Sequence, residues 1–235
     1  MAATVYLIPS LLHEDGIDAI PSYITDTVKQ CQVFFVENER TARRYLKKLA
    51  KEIVIDDYEW FTMSGDLKSP DTSEIFRKKI NEGKTIGIIS EAGCPGVADP
   101  GQQLTAVAHE MNVEVKPLVG PNSILLALMA SGMNGQQFRF AGYLPIQNPE
   151  RNNAIKELES ESAKKKCTQI FIETPYRNNQ LMDALLSACQ PSTKICIAVD
   201  LTSGQQLIKT KKISYWKKDK PDIHKRPTIF LLYAS

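Results

Sequence analysis

Residues 90–101 read Ser-Glu-Ala-Gly-Cys-Pro-Gly-Val-Ala-Asp-Pro-Gly and follow directly on the apolar run Thr85-Ile86-Gly87-Ile88-Ile89. A strand that ends in a Gly-rich loop leaves backbone N–H and C=O groups uncovered, so a ligand can approach the main chain where a β-carbon would block it. Loops at strand ends are also where α/β proteins place their chemistry. The competing reading is a rigid turn punctuated by Pro and Gly. The loop has neither the GxGxxG fingerprint nor the phosphate-binding Lys-Ser/Thr spacing, which disfavours a dinucleotide or nucleoside triphosphate site.

Cys94 lies in this loop, but a thiol nucleophile needs a base, and His13, His109 and His224 have no sequence tie to it. The five cysteines, Cys31, Cys94, Cys167, Cys189 and Cys196, are odd in number and lack CxxC spacing. They read as small buried hydrophobes in a reducing compartment, not as a disulfide framework or zinc ribbon. Three isolated histidines argue against a metal site.

The chain has 235 residues, 43% hydrophobic and 24% charged, and a net charge of +2. That is the composition of an ordinary globular protein, long enough for one large domain or two of about 100–150 residues. Positive charge is concentrated in two places. Arg40, Arg43, Arg44, Lys47, Lys48 and Lys51 crowd a predicted helix, and Lys209, Lys211, Lys212, Lys217, Lys218, Lys220, Lys225 and Arg226 crowd the C-terminal stretch. Either cluster could neutralise a phosphate backbone or be a solvated face. Tyr215 and Trp216, interleaved with the lysines, suit stacking on unpaired bases or an amphipathic edge strand buried at a dimer interface.

Strand-like and helical runs alternate to position these groups. Strands are predicted at 5–9, 33–36, 85–89 and 113–118, and helices near 17–30, 39–49, from Ser69-Pro70 to 81, and from 101 to 111. Gly120-Pro121-Asn122-Ser123 reads as a boundary, with Asn122 or Ser123 capping an apolar helix over 124–130. Two domains are expected, 1–118 and 119–235. The second adds strands at 138–144, 168–172, 194–199, 205–214 and 228–233 and helices over 149–165 and up to 188, in a sheet expected to be mixed. The fold class is α/β. No apolar run approaches the roughly 18–20 residues a membrane span needs, and no secretory leader opens the chain, so a cytoplasmic protein without membrane contact is expected.

Several motifs now carry a resemblance. The loop 90–101 resembles the signature loop of the tetrapyrrole methylase superfamily, in the form found in small-subunit rRNA (cytidine-2′-O-)-methyltransferases, close to SDAGTPGISDPG. The stretch 36–46 resembles that branch's AEDTRHTRRLL, and 118–123 its LPGPSA. The stretches 140–145 and 171–177 resemble FEGFLP and FYESPHR. The resemblance implies two α/β domains of unequal topology with S-adenosylmethionine in the cleft between them, usually within a homodimer. It implies a methyltransferase, with 2′-oxygens of rRNA ribose as the first substrate class. Alternatives are a relative acting on a tetrapyrrole, another small molecule or a protein, and a non-catalytic relative that binds the cofactor or RNA.

On this resemblance Glu91, Ala92, Gly93, Cys94 and Val97 line the cofactor. Ser123 and Ile124 contact its amino-acid end, and Ser123 could serve as a helix cap as well. Glu173, Thr174, Asp200, Pro227 and Thr228 match later parts of the pattern. The transfer would be an in-line displacement at the methyl carbon of a sulfonium, with no metal. A ribose hydroxyl is a poor nucleophile at neutral pH, so a carboxylate should help to remove its proton, and Glu37 at a strand end is the first candidate. Arg40 joins it as a catalytic candidate, with Arg43 and Arg44 for substrate phosphate. The plainer readings are an ion pair of Glu37 with Arg40 or Arg44 and a solvated arginine face. The chain departs from the family in its first loop, where PTPIGNLGD is replaced by Ile8-Pro9-Ser10-Leu11-Leu12-His13-Glu14-Asp15-Gly16. Glu91 and Asn38 both stand where that branch has aspartate.

Overall fold

A computed structural model describes residues 3–63 and 70–234. The chain forms two compact units, 1–122 and 123–235.

The first unit is built on five strands, β1 (Thr4–Ile8), β2 (Val33–Val36), β3 (Glu59–Thr62), β4 (Thr85–Ile89) and β5 (Glu114–Pro117). They pair in the order β3-β2-β4-β1-β5, every pair parallel. A parallel sheet is covered on both faces, and its inner strands read as unbroken apolar runs. All four residues of β2, Val-Phe-Phe-Val, are buried. Helices α1 (Tyr23–Gln30) and α2 (Glu39–Leu49) cover one face, packing Ile24, Val28 and Leu46 on Ile8, Phe34 and Ile89. Helices α3 (Pro70–Asn81) and α4 (Gly101–Glu110) cover the other, packing Phe76, Ile80 and Leu104 on Phe35, Ile86 and Ile88.

The expected helix over 17–30 is two pieces, a short 3-10 turn at Gly16–Ala19 and α1, separated at Pro21, which cannot donate the hydrogen bond a continuing helix needs. Strand β3 is an addition to the sequence reading. It is four residues long at the sheet edge and only partly buried, so it shows little alternation or apolar run. Ser69, predicted to open α3, lies outside the described residues.

The second unit carries β6 (Phe138–Tyr143), β7 (Thr168–Ile172), β8 (Lys194–Val199), β9 (Leu207–Lys212) and β10 (Thr228–Tyr233) in the order β6-β7-β10-β8-β9. Only β6 and β7 are parallel, so the sheet is mixed. One face packs Phe171, Ile195, Ile197 and Phe230 against α6 (Glu150–Lys165), α7 (Asn178–Ala188) and the short α8 (Ile213–Trp216). Helix α5 (Ser123–Ser131) lies on the opposite face, where Thr210 Oγ1 donates to Ser131 O at 2.7 Å. The expectation for Trp216 is corrected here: it is 1% exposed and its Nε1 donates to Ile195 O at 2.9 Å, so it is core and cannot stack on a base. Its neighbour Tyr215 is 60% exposed.

Gly87 shows how tightly the first sheet is packed. A β-carbon there would sit 2.5 Å from the Phe34 ring and 2.9 Å from Ile8 Cδ1. The Phe34 ring cannot retreat freely, because it is stacked on Trp60 and edge-on to Tyr58. Gly87→Ala should therefore destabilise the fold by about 1–3 kcal/mol through overpacking. Gly204→Ala, where a β-carbon meets nothing within 4 Å, should leave stability within about 1 kcal/mol of the parent. Denaturant midpoints of the two variants check this.

Candidate functional site

Because all strands of the first sheet are parallel, their C-terminal ends lie along one edge, where ligands bind in open α/β sheets. The loops after β1, β2 and β4 meet there. Ser10 N donates to Gly93 O at 2.8 Å and Ser10 Oγ to Ser90 O at 3.0 Å, tying the first loop to the signature loop. Tyr45 of α2 reaches under them to donate its buried hydroxyl to Pro9 O at 2.6 Å.

Glu37 follows β2, and its Oε1 accepts the Glu91 N–H at 2.7 Å. The carboxyl is half-buried, which pushes its pKa up. The Glu91 N–H opposes that shift, while the nearby Asp99 and Glu91 charges reinforce it, and the net displacement is upward. The alternative of an ion pair between Glu37 and Arg40 or Arg44 is not what forms; the pair at the helix start is Glu39 with Arg43. Asn38 holds the start of α2, its Oδ1 accepting Arg40 N at 3.0 Å and Thr41 N at 3.2 Å. A neutral amide thus supplies a cap worth about 1 kcal/mol.

The signature loop turns on Gly93 and Gly96, with φ of 75° and 84°. Asp99 shapes it from within, its Oδ1 accepting Gly96 N at 2.9 Å and Gly101 N at 2.7 Å. Burial pushes the Asp99 carboxyl above its ordinary range despite these donors. Glu91, Ala92 and Val97 are exposed on the loop. Cys94 Sγ points at Gly120 O and Pro121 O, at 3.7 and 3.5 Å, and burial raises its pKa. A thiol held protonated as a donor to carbonyls is not a nucleophile.

Beside the loop is a cavity of about 300 Å3, lined on its apolar side by Leu11, Leu12, Ala42, Tyr45, Ile89 and Ala92. Ser10, Thr41, Ser90 and Glu91 supply polar lining, and His13, Glu14, Arg44 and Lys48 line it as well. Leu11 and Leu12, from the loop that departs from the family pattern, form part of its wall, and Leu12 Cδ2 lies 3.1 Å from where a β-carbon on Gly93 would be. Of the arginines named from sequence, Arg44 reaches this cavity. Arg43 turns away, pairing with Glu39 and lying 5.3 Å over the Trp60 ring, and Arg40 is exposed outside the lining. Sequence reasoning missed Thr41, whose hydroxyl lies 3.0 Å from Asn38 O and 3.2 Å from Glu91 Oε2, and Tyr45. Each acts across a gap in sequence that no local pattern encodes.

In the second unit, Glu173, Thr174, Asp200, Pro227 and Thr228 gather at one end of the sheet, because β7 and β8 end where the antiparallel β10 begins. The two acids are occupied. Glu173 Oε1 accepts Thr174 N and both Nε and Nη2 of Arg177, and Asp200 Oδ2 accepts Arg226 Nε at 2.7 Å. Burial pushes the Glu173 carboxyl up, but the Arg177 guanidinium and the Thr174 N–H outweigh it and hold it below the usual range. Asp200 N donates to Pro227 O at 2.9 Å. Ser123 and Ile124 form the first turn of α5 and are half-buried. Among the described residues no three His, Cys, Asp or Glu side chains are placed to hold a metal ion, and no helix is long and apolar enough to cross a membrane.

Comparison with known proteins gives this geometry its setting. Residues 24–214 match the family model for Tetrapyrrole (Corrin/Porphyrin) Methylases. A Ribosomal RNA small subunit methyltransferase I from Micromonospora olivasterospora is 31% identical over 205 residues, 87% of this chain and 61% of that protein. Another of the same name, from Halalkalibacterium halodurans, is 36% identical over 121 residues, 48% of this chain and 40% of its own length. The matched part thus spans about half the length of such relatives. Among solved structures, the methyltransferase CobJ superposes with a TM-score of 0.64 at 16% identity, covering 99% of this chain and 94% of its own. Cobalt precorrin-4 methyltransferase CbiF gives 0.61 at 15% identity, covering 98% and 94%. With a family model matched from α1 to α8 and the same fold in two methyltransferases, the chain belongs to the tetrapyrrole (corrin/porphyrin) methylase family.

Proposed function

We propose that this protein is an S-adenosylmethionine-dependent methyltransferase that methylates a ribose 2′-oxygen in rRNA, in the cytoplasm and as a homodimer. The observation that carries the reading is the half-buried Glu37 carboxylate, raised in pKa, at the strand edge beside a cavity of about 300 Å3 lined by Arg44 and Lys48. That volume is at the small end of ligand pockets and suits one nucleoside better than a macrocycle, while the cations suit its phosphates. The names of the related rRNA methyltransferases favour the same substrate. The apolar outer side of α5, where Met129 is 79% exposed, supports self-association.

The residues present fit the cofactor. Gly96 has positive φ and open space where a β-carbon would be, so its backbone is approachable, and Val97 beside it is apolar and exposed. The Glu37 carboxylate feels the charges of Asp99 and Glu91, and three acids gathered there suit a cationic ligand better than a polyphosphate. Residues 91–94 and Val97 would hold the cofactor, and the second unit's candidates are Ser123, Ile124, Thr174 and Thr228, together with the main chain at Glu173, Asp200 and Pro227. When bound, S-adenosylmethionine supplies a methyl group activated by its sulfonium. The chain's work is alignment and proton handling. Glu37 takes the proton of the attacking hydroxyl, the Glu91 N–H orients that carboxylate, and Thr41 steadies Glu91. Arg44 and Lys48, with the exposed Arg40 further out, bind phosphate, while Arg43 is held by Glu39 and Trp60 and takes no part.

Calorimetric titration with S-adenosylhomocysteine should give saturable binding that Ser123→Trp abolishes without changing the melting temperature. A folded wild-type protein that binds neither S-adenosylhomocysteine nor S-adenosylmethionine overturns the reading. For Glu37→Gln, methyl transfer to small ribosomal subunits should fall by about 10²–10⁴ while cofactor binding persists. Since the folded protein holds the Glu37 proton more tightly than the unfolded chain, the group's contribution to stability is present at low pH. It is lost as pH rises through the folded-state pKa. Glu37→Gln should therefore be more stable than the parent at neutral pH and equal to it in acid, which melting curves across pH will show.

A further inference from the structure

The sheet of the second unit has two chemically different ends. Glu173, Asp200 and Thr228 mark one end. At the other end Lys194, the first residue of β8, lies directly opposite Lys212 of β9 on one side and Tyr233 of β10 on the other. Residues opposite one another project from the same face, and like charges so placed are destabilising. The nearby acids do not relieve this pair. Asp219 holds Lys211, Glu161 holds Arg139 and Lys165, and Glu159 accepts from Gln190 N and Thr193 Oγ1. Among the described residues no acid pairs with Lys194 or Lys212, while the charge of Asp219 also reaches Lys209.

The face is also shaped. Lys194, Lys211, Lys212, Thr210 and Tyr215 surround an open depression of about 430 Å3 that reaches Gly132 just past α5. A β-carbon on Gly132 would meet nothing within 4 Å, so the backbone floor is open to a bulky anion. Lys164 and Lys166 stand at the C-terminal end of α6, which enters β7 at this same end of the sheet. Exposed cations beside an exposed Tyr215 ring are the pairing that binds a nucleic-acid strand, with lysines on phosphates and the ring against a base.

We propose that this end of the second unit is an RNA-anchoring surface, distinct from the site of methyl transfer, that grips backbone phosphates through Lys194 and Lys212 with Tyr215 as a stacking platform. It rests on the reading that the substrate is RNA. Lys194 is six residues from Asp200 along β8, about 20 Å at roughly 3.3 Å per residue. The surface therefore holds nucleotides well removed from anything bound at the Glu173–Thr228 end, and phosphate contacts of this kind contribute affinity and register.

The test uses the full chain and a fluorescein-labelled small-subunit rRNA transcript, with binding measured between 50 and 200 mM salt. Lys194→Glu/Lys212→Glu, at two exposed positions, should weaken binding about tenfold or more and lower the slope of log K against log salt by about 1.4–1.8. Its affinity for S-adenosylhomocysteine and its melting temperature should stay at wild-type values. Tyr215→Ala should weaken a single-stranded probe about fivefold or more. Unchanged RNA affinity and salt slope in the double variant overturn the anchoring surface alone. A wild-type protein that binds S-adenosylhomocysteine but no RNA overturns both this surface and the RNA substrate. Loss of binding to phosphatidylserine vesicles with RNA binding intact assigns the lysines to a lipid surface and overturns the proposal.

Discussion

Five parallel strands in the first unit can only be joined by crossovers that return the chain to the same starting edge, so every strand releases its loop on the opposite edge. There the loops after β1, β2 and β4 must satisfy their main-chain groups through one another. Ser10 N finds Gly93 O, Glu91 N finds the Glu37 carboxylate, and Pro9 O finds the Tyr45 hydroxyl. These three bonds join segments 36 to 83 residues apart, and the cavity exists because they hold its walls in place. The chemistry follows from the same constraint. A carboxylate recruited to satisfy a backbone N–H at a half-buried edge, with two other acids near, holds its proton more tightly than it would in water.

The second unit solves its strand-end problem differently. With β10 antiparallel to β7 and β8, the end that gathers Glu173, Asp200 and Thr228 mixes strand starts with strand finishes. Two ion pairs, Glu173 with Arg177 and Asp200 with Arg226, lock it. Removing either arginine leaves a buried acid uncompensated, so these acids act first on the fold. The far end keeps opposed lysines without acids. A surface that tolerates such repulsion has a reason to exist when an anion relieves it.

The elements most legible in the sequence were those specified within a few residues. Helix α2 was readable over 39–49 because Asn38 caps it and its apolar residues recur at helical spacing, and β2, β7 and β8 because each is a short apolar run bounded by polar or turn residues. Strand β3 was not legible, since Glu-Trp-Phe-Thr at an edge shows neither alternation nor a run. Trp216 read as an exposed aromatic because it sits among lysines, yet the turn of α8 aims it into the core while Tyr215, one residue away, faces water.

By itself the sequence determined the α/β alternation, the loop of glycines, prolines and acids after β4, the motifs that mark the family, and the two concentrations of positive charge. All of these are set by residue type and spacing over a dozen positions or fewer. Only the tertiary structure decided that Arg44 and not Arg43 reaches the cavity, that Glu37 pairs with a backbone N–H and not with an arginine, and that the lysines of β9 meet Lys194 across the sheet. A side chain's partner depends on which segments packing and strand register bring together, and those contacts join residues tens of positions apart that no local pattern in the chain records.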